Sequence, residues 1–453
     1  MGIKMKIKQS HPLIIGTLIL TATGLLSRLI GFFYRIYLSR LFGQEGMGIY
    51  QLLSPVQALA FSLTAAGYQT AISKLVAERS AILKRPSIRP LFAGLSISLP
   101  LSLLCNVLVY FNADFIAGRI LLEPRTASML RILSFSIPFN SVHACVNGYF
   151  YGAKKAGVPA ASQLIEQLTR VGCVYAVSGY YMALGRPLTI SVAILGLTVG
   201  ELVSMCFSVL AVLICRPGKR ALRMFPSIPE HTPSLGGSPL YKGLLAMALP
   251  LTANRIVLNL LQSMESISIP ARLRMFGYDN ATALSVYGVL TGMAMPLIFF
   301  PNALTSSVAI LLLPIISESF ALRDMKTVRS SVIKTIKYCG LMGLVCMIGF
   351  VTLGQWMGNF LFQSTLAGHF IKTLGFVCPF LYLDTTLSSI LQGLGKAVDI
   401  FFMNAFCLLI RLGFVYFAIP SFGITGYLWG LLASQLLLGM LYLISLYRFL
   451  KKH

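Results

Sequence analysis

The sequence predicts an all-α polytopic membrane protein of about twelve transmembrane helices, arranged as two six-helix lobes related by a pseudo-two-fold axis. Three observations carry that expectation. The 453-residue chain is 56% hydrophobic and only 11% charged, with a mean hydropathy of +0.79, whereas a soluble domain has roughly 25% charged residues. Apolar stretches of about 20 residues, each long enough to span a bilayer as a helix, recur from end to end. A set of residues also repeats at fixed offsets in the two halves of the chain. Such a composition leaves too much hydrocarbon in water for a soluble fold. Intrinsic disorder and a secreted disulfide scaffold are excluded with it.

Twelve spans are expected, over 13–37, 49–72, 91–111, 128–149, 159–182, 190–214, 243–269, 284–313, 338–358, 367–391, 398–419 and 425–447. The eighth is overlong and carries Pro296 and Pro301, so a kinked or broken helix is expected there. Lys4, Lys6 and Lys8 precede an apolar run too long for a signal peptide, which reads as the uncleaved first span. The net charge of +24 comes from 37 Lys and Arg against 13 Asp and Glu. Placing the N-terminus inside gives the cytoplasmic segments 24 basic residues and leaves six outside: Arg40, Arg119, Arg125, Arg186, Arg272 and Arg274. Basic residues in short loops set orientation, so a cell-membrane protein with both termini cytoplasmic is expected.

Pro138-Phe139 is followed by Gly152, Lys155 and Arg170, and Pro379-Phe380 by Gly393, Lys396 and Arg411 at the same offsets. Gln163 and Asn404 also share a register. Arg40-Leu-Phe-Gly43 echoes Arg274-Met-Phe-Gly277, and Ile72-Ser73 echoes Ile316-Ser317. The expected organisation is a cytoplasmic N-terminal segment 1–12, an N-lobe 13–215, a cytoplasmic linker 216–242, a C-lobe 243–447 and a cytoplasmic tail 448–453. Parallel repeats of this kind belong to transporters that bind at mid-membrane depth.

Seven basic residues lie inside spans: Arg28, Arg35, Arg131, Arg170, Arg255, Lys372 and Arg411. Four acids do so as well: Glu166, Glu201, Glu265 and Asp384. Each charge at a helix centre costs about 2.5–3.5 kcal/mol on insertion scales, so these eleven must face partners, cavities or interfaces. Gly24, Arg28, Gly31 and Arg35 form one helical stripe. Arg255, Asn259, Ser263 and Ser266 form another on the seventh span, and Gln163, Glu166, Gln167 and Arg170 a third on the fifth. Glu166 and Arg170 either neutralise each other at i, i+4 or serve a substrate or ion. Arg131 is expected to snorkel, and Lys372 and Arg35 either snorkel or face a cavity. Arg28 and Arg255 lie deeper, with no acid within a turn. Glu201, Glu265 and Asp384 are either counter-ions for the arginines or sites for a coupling cation. The excess of cations, with the planar donor fork of arginine, favours an anionic phosphate or pyrophosphate ligand. The expected binding set is Arg28, Arg35, Arg255, Arg170, Arg411 and Asn259.

Nine cysteines form no C-x-x-C, and five histidines form no H-E-x-x-H or Cys/His pattern at ligand spacing. No metal, cofactor or enzymatic activity is therefore expected. Gly393-Leu-Gly395-Lys396 lacks the frame of a phosphate loop, and no Walker A sequence occurs, so transport would draw on ion, potential or substrate gradients. The basic loops are explained by topology and anionic lipid, and no nucleic-acid partner is expected.

Several segments resemble a known family. They include Gly16-Thr-Leu-Ile-Leu-Thr-Ala with Ser27-Arg28-Leu-Ile-Gly31-Phe32-Phe-Tyr34-Arg35-Ile36, Gly43-Gln-Glu-Gly46-Met-Gly48-Ile-Tyr50-Gln51 and Ala71-Ile-Ser73-Lys74-Leu-Val-Ala-Glu78. Gly148-Tyr-Phe-Tyr-Gly152, Ile165-Glu166-Gln167-Leu-Thr-Arg170-Val and Ile269-Pro270-Ala-Arg272-Leu273 complete the set. From about residue 12 to 447 the chain resembles the stage V sporulation protein B family. That family lies in the polysaccharide-exporter branch of the MATE-like multidrug/oligosaccharidyl-lipid/polysaccharide (MOP) superfamily. The resemblance implies an alternating-access flippase of an undecaprenyl-pyrophosphate-linked peptidoglycan or polysaccharide precursor for the spore cortex. Its partners would be the lipid-linked oligosaccharide, membrane lipids, a coupling cation (Na⁺ or H⁺) and cell-wall synthases. The Ser-Arg-x-x-Gly-Phe first helix of related flippases maps a cavity arginine onto Arg28. The rival readings are an ion-coupled antiporter of small amphiphiles and a non-transporting scaffold.

Overall fold

The computed structural model of the protein describes residues 2–83, 86–215 and 237–452. Residues 216–236 of the expected linker lie outside the described residues, as do the side chains of residues 1–19, Lys4, Lys6 and Lys8 among them. Every regular element among the described residues is helical.

The first helix, α1 (Gly2–Leu52), runs through the first expected span and breaks at Gly43, whose φ of 70° is open to glycine and strained for other residues. The second span continues as α2 (Ser54–Phe61), a π-helical turn at Ser62–Ala66 and α3 (Gly67–Leu83). Within that turn the Ser62 and Thr64 hydroxyls donate back to the carbonyls of Ala58 and Ala60, each at 2.8 Å. Then come α4 (Arg89–Phe111), α5 (Thr126–Ser134), α6 (Ser136–Gly152), α7 (Gly157–Ala183) and α8 (Ser191–Ile214). The second half holds α9 (Gly237–Phe276), α10 (Asn280–Gly288), α11 (Met295–Phe299), α12 (Asn302–Ala321), α13 (Met325–Phe362), α14 (Thr365–Leu374), α15 (Cys378–Gly393), α16 (Ala397–Phe417) and α17 (Ile424–Lys452).

Eleven helical stretches among the described residues are long and apolar enough to cross a membrane. The first of them, Leu20–Ser80, contains two expected spans and is divided at Gly43. Helix α7 is not among the eleven, because Gln163, Glu166, Gln167 and Arg170 lower its hydropathy, yet it is 27 residues long. The expected eighth span is one interrupted path, α10 to α12. It bends through a π turn at Val289–Ala294 and again at Phe300–Pro301, where proline has no N–H to continue the ladder.

Packing separates two compact units, residues 1–30 with 56–259 and residues 31–55 with 260–453. The core of the first gathers Tyr68, Ile72, Leu91, Cys145, Phe150 and Leu244. That of the second gathers Ile316, Val332, Leu387, Ile390, Leu438 and Tyr442.

The sequence repeat corresponds to a shared local structure. Gly152 ends α6 where a Cβ would stand 2.4 Å from the Ser73 carbonyl oxygen, and Gly393 ends α15 where one would stand 2.9 Å from that of Leu313 and 3.1 Å from the Ile316 side chain. Both helices therefore close on the element carrying the Ile-Ser echo. Both then turn through one left-handed residue, Lys154 (φ 58°) or Gly395 (φ 80°). The next amide donates back five residues, Lys155 to Phe150 at 2.9 Å and Lys396 to Leu391 at 3.0 Å, which satisfies end carbonyls. Gly152→Ala is expected to destabilise by about 1–3 kcal/mol through overpacking, read as a lower thermal unfolding temperature in detergent. Lys154→Gly, which relieves a left-handed side chain, is expected to leave that temperature unchanged or higher.

Candidate functional site

Arg28 and Arg255 lie in the first unit, on α1 and α9, and both are exposed. Arg255 meets no carboxylate among the described residues. One turn on, Asn259 donates to the Ala58 carbonyl at 3.3 Å and to the Ser62 hydroxyl, so its amide ties α9 to the π turn. Gly67 permits this approach, since a Cβ there would fall 2.0 Å from Thr252 Oγ1. Arg35 is half-buried in the second unit. Lys372 is exposed on α14. Arg131 pairs with Asp114 at 2.6 Å in addition to lying at the surface.

The two repeat-related arginines are each matched to a carboxylate. Arg170 donates through Nη2 to Glu166 Oε1 one turn earlier on α7. Arg411 on α16 donates through Nη2 to Glu265 Oε2 at 2.6 Å, with its Nε 2.6 Å from Oε1. Tyr427 donates to the same Oε1 at 2.7 Å. Glu265, 5% exposed, thus has two partners drawn from α16 and α17. In hydrocarbon a broken pair leaves one bare charge. Glu265→Gln or Arg411→Met alone is therefore expected to cost about 3–5 kcal/mol, and the double variant to recover most of the loss. Thermal unfolding in detergent, run as a double-mutant cycle, reads this directly.

Glu201, on α8, accepts from Asn140 Nδ2 at 2.8 Å through Oε1, while its Oε2 accepts no hydrogen bond from any described residue. That oxygen lies 3.7 Å from His143 Nδ1 on α6. The other ring nitrogen sits among Ser162 Oγ at 2.8 Å, Ser204 Oγ at 3.1 Å and the Asn147 amide at 2.7 Å. Glu166, Glu201 and His143 thus meet from three helices inside the first unit.

In the second unit Asp384 on α15 is 6% exposed, and neither of its oxygens accepts a hydrogen bond from a described residue. It lines a cavity of about 330 Å³ with Thr385, Ser388, Asn404, Gln435 and Tyr442. Asn404 Nδ2 donates to Tyr442 Oη at 2.9 Å. Gly439 leaves room for the carboxylate, as a Cβ there would stand 2.9 Å from Asp384 Oδ1. A buried carboxylate in this state calls for a cation or a proton.

Sequence reasoning missed His143, Tyr427 and Tyr442, although the repeat contained a signal for two of them. His143 and Asp384 stand at the same distance beyond Pro138 and Pro379, and Glu201 and Tyr442 again share one register. Each unit therefore carries a buried polar group at the same place, with different chemistry.

The polysaccharide biosynthesis protein family matches residues 13–320, and the MatE family matches residues 256–417. Stage V sporulation protein B of Bacillus subtilis strain 168 is 28% identical over 430 residues, spanning 94% of this chain and 82% of its own length. The lipid II flippase MurJ of the same organism is 22% identical over 408 residues, spanning 85% of this chain and 74% of its own. Among solved structures, an inward-facing multidrug resistance MATE family transporter of the MOP superfamily aligns with a TM-score of 0.69 at 16% identity. It covers 96% of this chain and 99% of that one. A lipid II flippase MurJ in an inward closed conformation aligns with a TM-score of 0.71 at 14% identity, covering 95% and 87%. At these identities the structures speak for the fold alone, and it is the all-α MOP fold. Matched over more than half of its length, this multi-pass membrane chain belongs to the polysaccharide biosynthesis protein family.

Proposed function

We propose that the protein is an alternating-access flippase, not an enzyme, for an undecaprenyl-pyrophosphate-linked peptidoglycan or polysaccharide precursor used in spore-cortex formation. The observation that carries this reading is Arg255, an exposed guanidinium inside an apolar span that meets no carboxylate among the described residues. Such a group belongs in a wet cavity facing an anion, and arginine suits the pyrophosphate oxygens. Arg28, which aligns with the cavity arginine implied by the first-helix motif, and Arg35 are assigned to the same headgroup. Arg170 and Arg411 keep their carboxylates and shape the helices that carry them. The similarity to a lipid II flippase and to stage V sporulation protein B supports a lipid-linked cell-wall substrate. In this reading the lobes are 13–215 and 243–447, and the 24 to six bias of basic residues puts both termini in the cytoplasm.

Asp384 is assigned to the coupling cation, Na⁺ or H⁺, because its bare carboxylate faces hydroxyl and amide oxygens in a cavity large enough for an ion and water. The same feature supports the second reading, an ion-coupled exporter of small amphiphiles.

Headgroup translocation of a labelled lipid-linked precursor in proteoliposomes tests the assignment. Arg28→Ala and Arg255→Ala are each expected to slow flipping at least tenfold, with partial recovery in the lysine variants. Unchanged flipping would remove these arginines from the site. Asp384→Asn is expected to abolish any acceleration by a sodium or proton gradient. Gradient-driven movement of an amphiphile, without movement of the lipid-linked precursor, would select the second reading. Absence of both would select the scaffold.

A further inference from the structure

The geometry points to a divalent transition-metal site of the Zn²⁺ or Mn²⁺ class inside the first unit, held by His143, Glu166 and Glu201. One ligand atom from each lies within 4.8 Å of the other two. The residues come from α6, α7 and α8, so one ion would pin three helices. His143 and Glu201 are 8% and 3% exposed, and Glu201 Oε2, aimed at the imidazole, accepts no hydrogen bond from a described residue.

The 3.7 Å between His143 Nδ1 and Glu201 Oε2 is too long for a hydrogen bond. A water between them would have to bridge at an unfavourably sharp angle. Metal bonds of about 2.1 Å to nitrogen and oxygen put two ligands of one ion roughly 3.0–3.7 Å apart, from a right angle to a trigonal one. The observed gap lies at the wide end of that range. Glu166 closes the remainder by a small swing of its carboxylate.

The surroundings of the other ring nitrogen agree. A metal-bound histidine nearly always donates its second N–H to an outer partner. His143 Nε2 is ringed by the Ser162 and Ser204 hydroxyls and by the Asn147 amide, whose own Oδ1 is buried without a hydrogen bond among the described residues. The Asn147 amide stands with Nδ2 at Nε2, and turning it over brings Oδ1 to Nε2–H, the arrangement that an Nδ1-bound ion requires. The Nδ1 lone pair then faces Glu201 Oε2, with the Ser204 hydroxyl 3.4 Å away as the other group in reach, and an ion bound by both the ring nitrogen and the carboxylate would satisfy the two electron-rich atoms together. Arg170 offsets one of the two carboxylates, so the cluster keeps one negative charge for the ion. Imidazole with carboxylates selects first-row transition metals over Na⁺, Mg²⁺ or Ca²⁺, which favour all-oxygen sites. The register partner of His143 in the second unit, Asp384, sits in such an oxygen-rich setting.

The full-length protein in detergent, stripped with chelator and re-equilibrated with Zn²⁺ or Mn²⁺, tests the site. The expected result is one ion per chain after desalting, insensitive to excess Mg²⁺ or Na⁺. Glu201→Gln and His143→Ala are each expected to lower affinity at least tenfold, whereas Asp384→Asn leaves it unchanged. Mn²⁺ bound to the unaltered protein should show ¹⁴N coupling from a single imidazole by pulsed electron paramagnetic resonance, a readout that needs no variant to fold. Failure to retain either metal, undiminished binding in His143→Ala, or a bound Mn²⁺ without nitrogen coupling would each overturn the proposal.

Discussion

The constraint on which the rest of this protein depends is that an ionised group inside hydrocarbon must have a reason to be there. The chain obeys it in three ways. Arg411 and Glu265 bind each other through two nitrogens and two oxygens, and a tyrosine completes the carboxylate. Glu166 and Arg170 pair across one turn of a single helix. Asp384 has no such partner and lies instead against a polar cavity. The first ties α9 to α16 and α17, and the second stays within α7. The third leaves a buried carboxylate that calls for a cation or a proton.

The repeat explains where these solutions occur without making them identical. The Gly-Lys turn is built the same way in both halves, from a close-packed glycine, a left-handed residue and one long-range amide bond. The charges are less symmetric. Counting back from the Arg-x-Phe-Gly echo, Gly31 stands at the place of Glu265, so Arg170 finds its carboxylate on its own helix and Arg411 on α9. Duplicated backbone thus carries divergent electrostatics.

Most of the fold was legible because hydrocarbon imposes a simple rule of length and polarity. The twelve spans, the broken eighth and the uniform helicity follow from apolar runs, prolines and the repeat. What the spans did not reveal was how far helices run beyond the apolar window. Helix α13 covers Met325–Phe362 where the expected span is only 338–358, because its first turns, with Lys326, Arg329, Lys334 and Lys337, are helical although too basic to read as part of an apolar span. Among candidate site residues, the Glu166–Arg170 pair was readable from i, i+4 spacing. The Arg411–Glu265 pair was not, since its members lie 146 residues apart. His143 escaped because ligand-spacing rules look along the chain, whereas its neighbours arrive from two other helices.

The core of the first unit includes Leu240, Leu244 and Ala248, which pack with Tyr68, Ile72 and Cys145. When residue 215 leaves the ribosome, the helices of the first half are made but one wall of their core is missing. Until the start of α9 enters the membrane, the face formed by Tyr68 and Ile72 must be covered by lipid or by the insertion machinery. The nascent first half is therefore a membrane intermediate awaiting a strap from the second, and the order of synthesis delivers that strap as soon as the intervening segment has been translated.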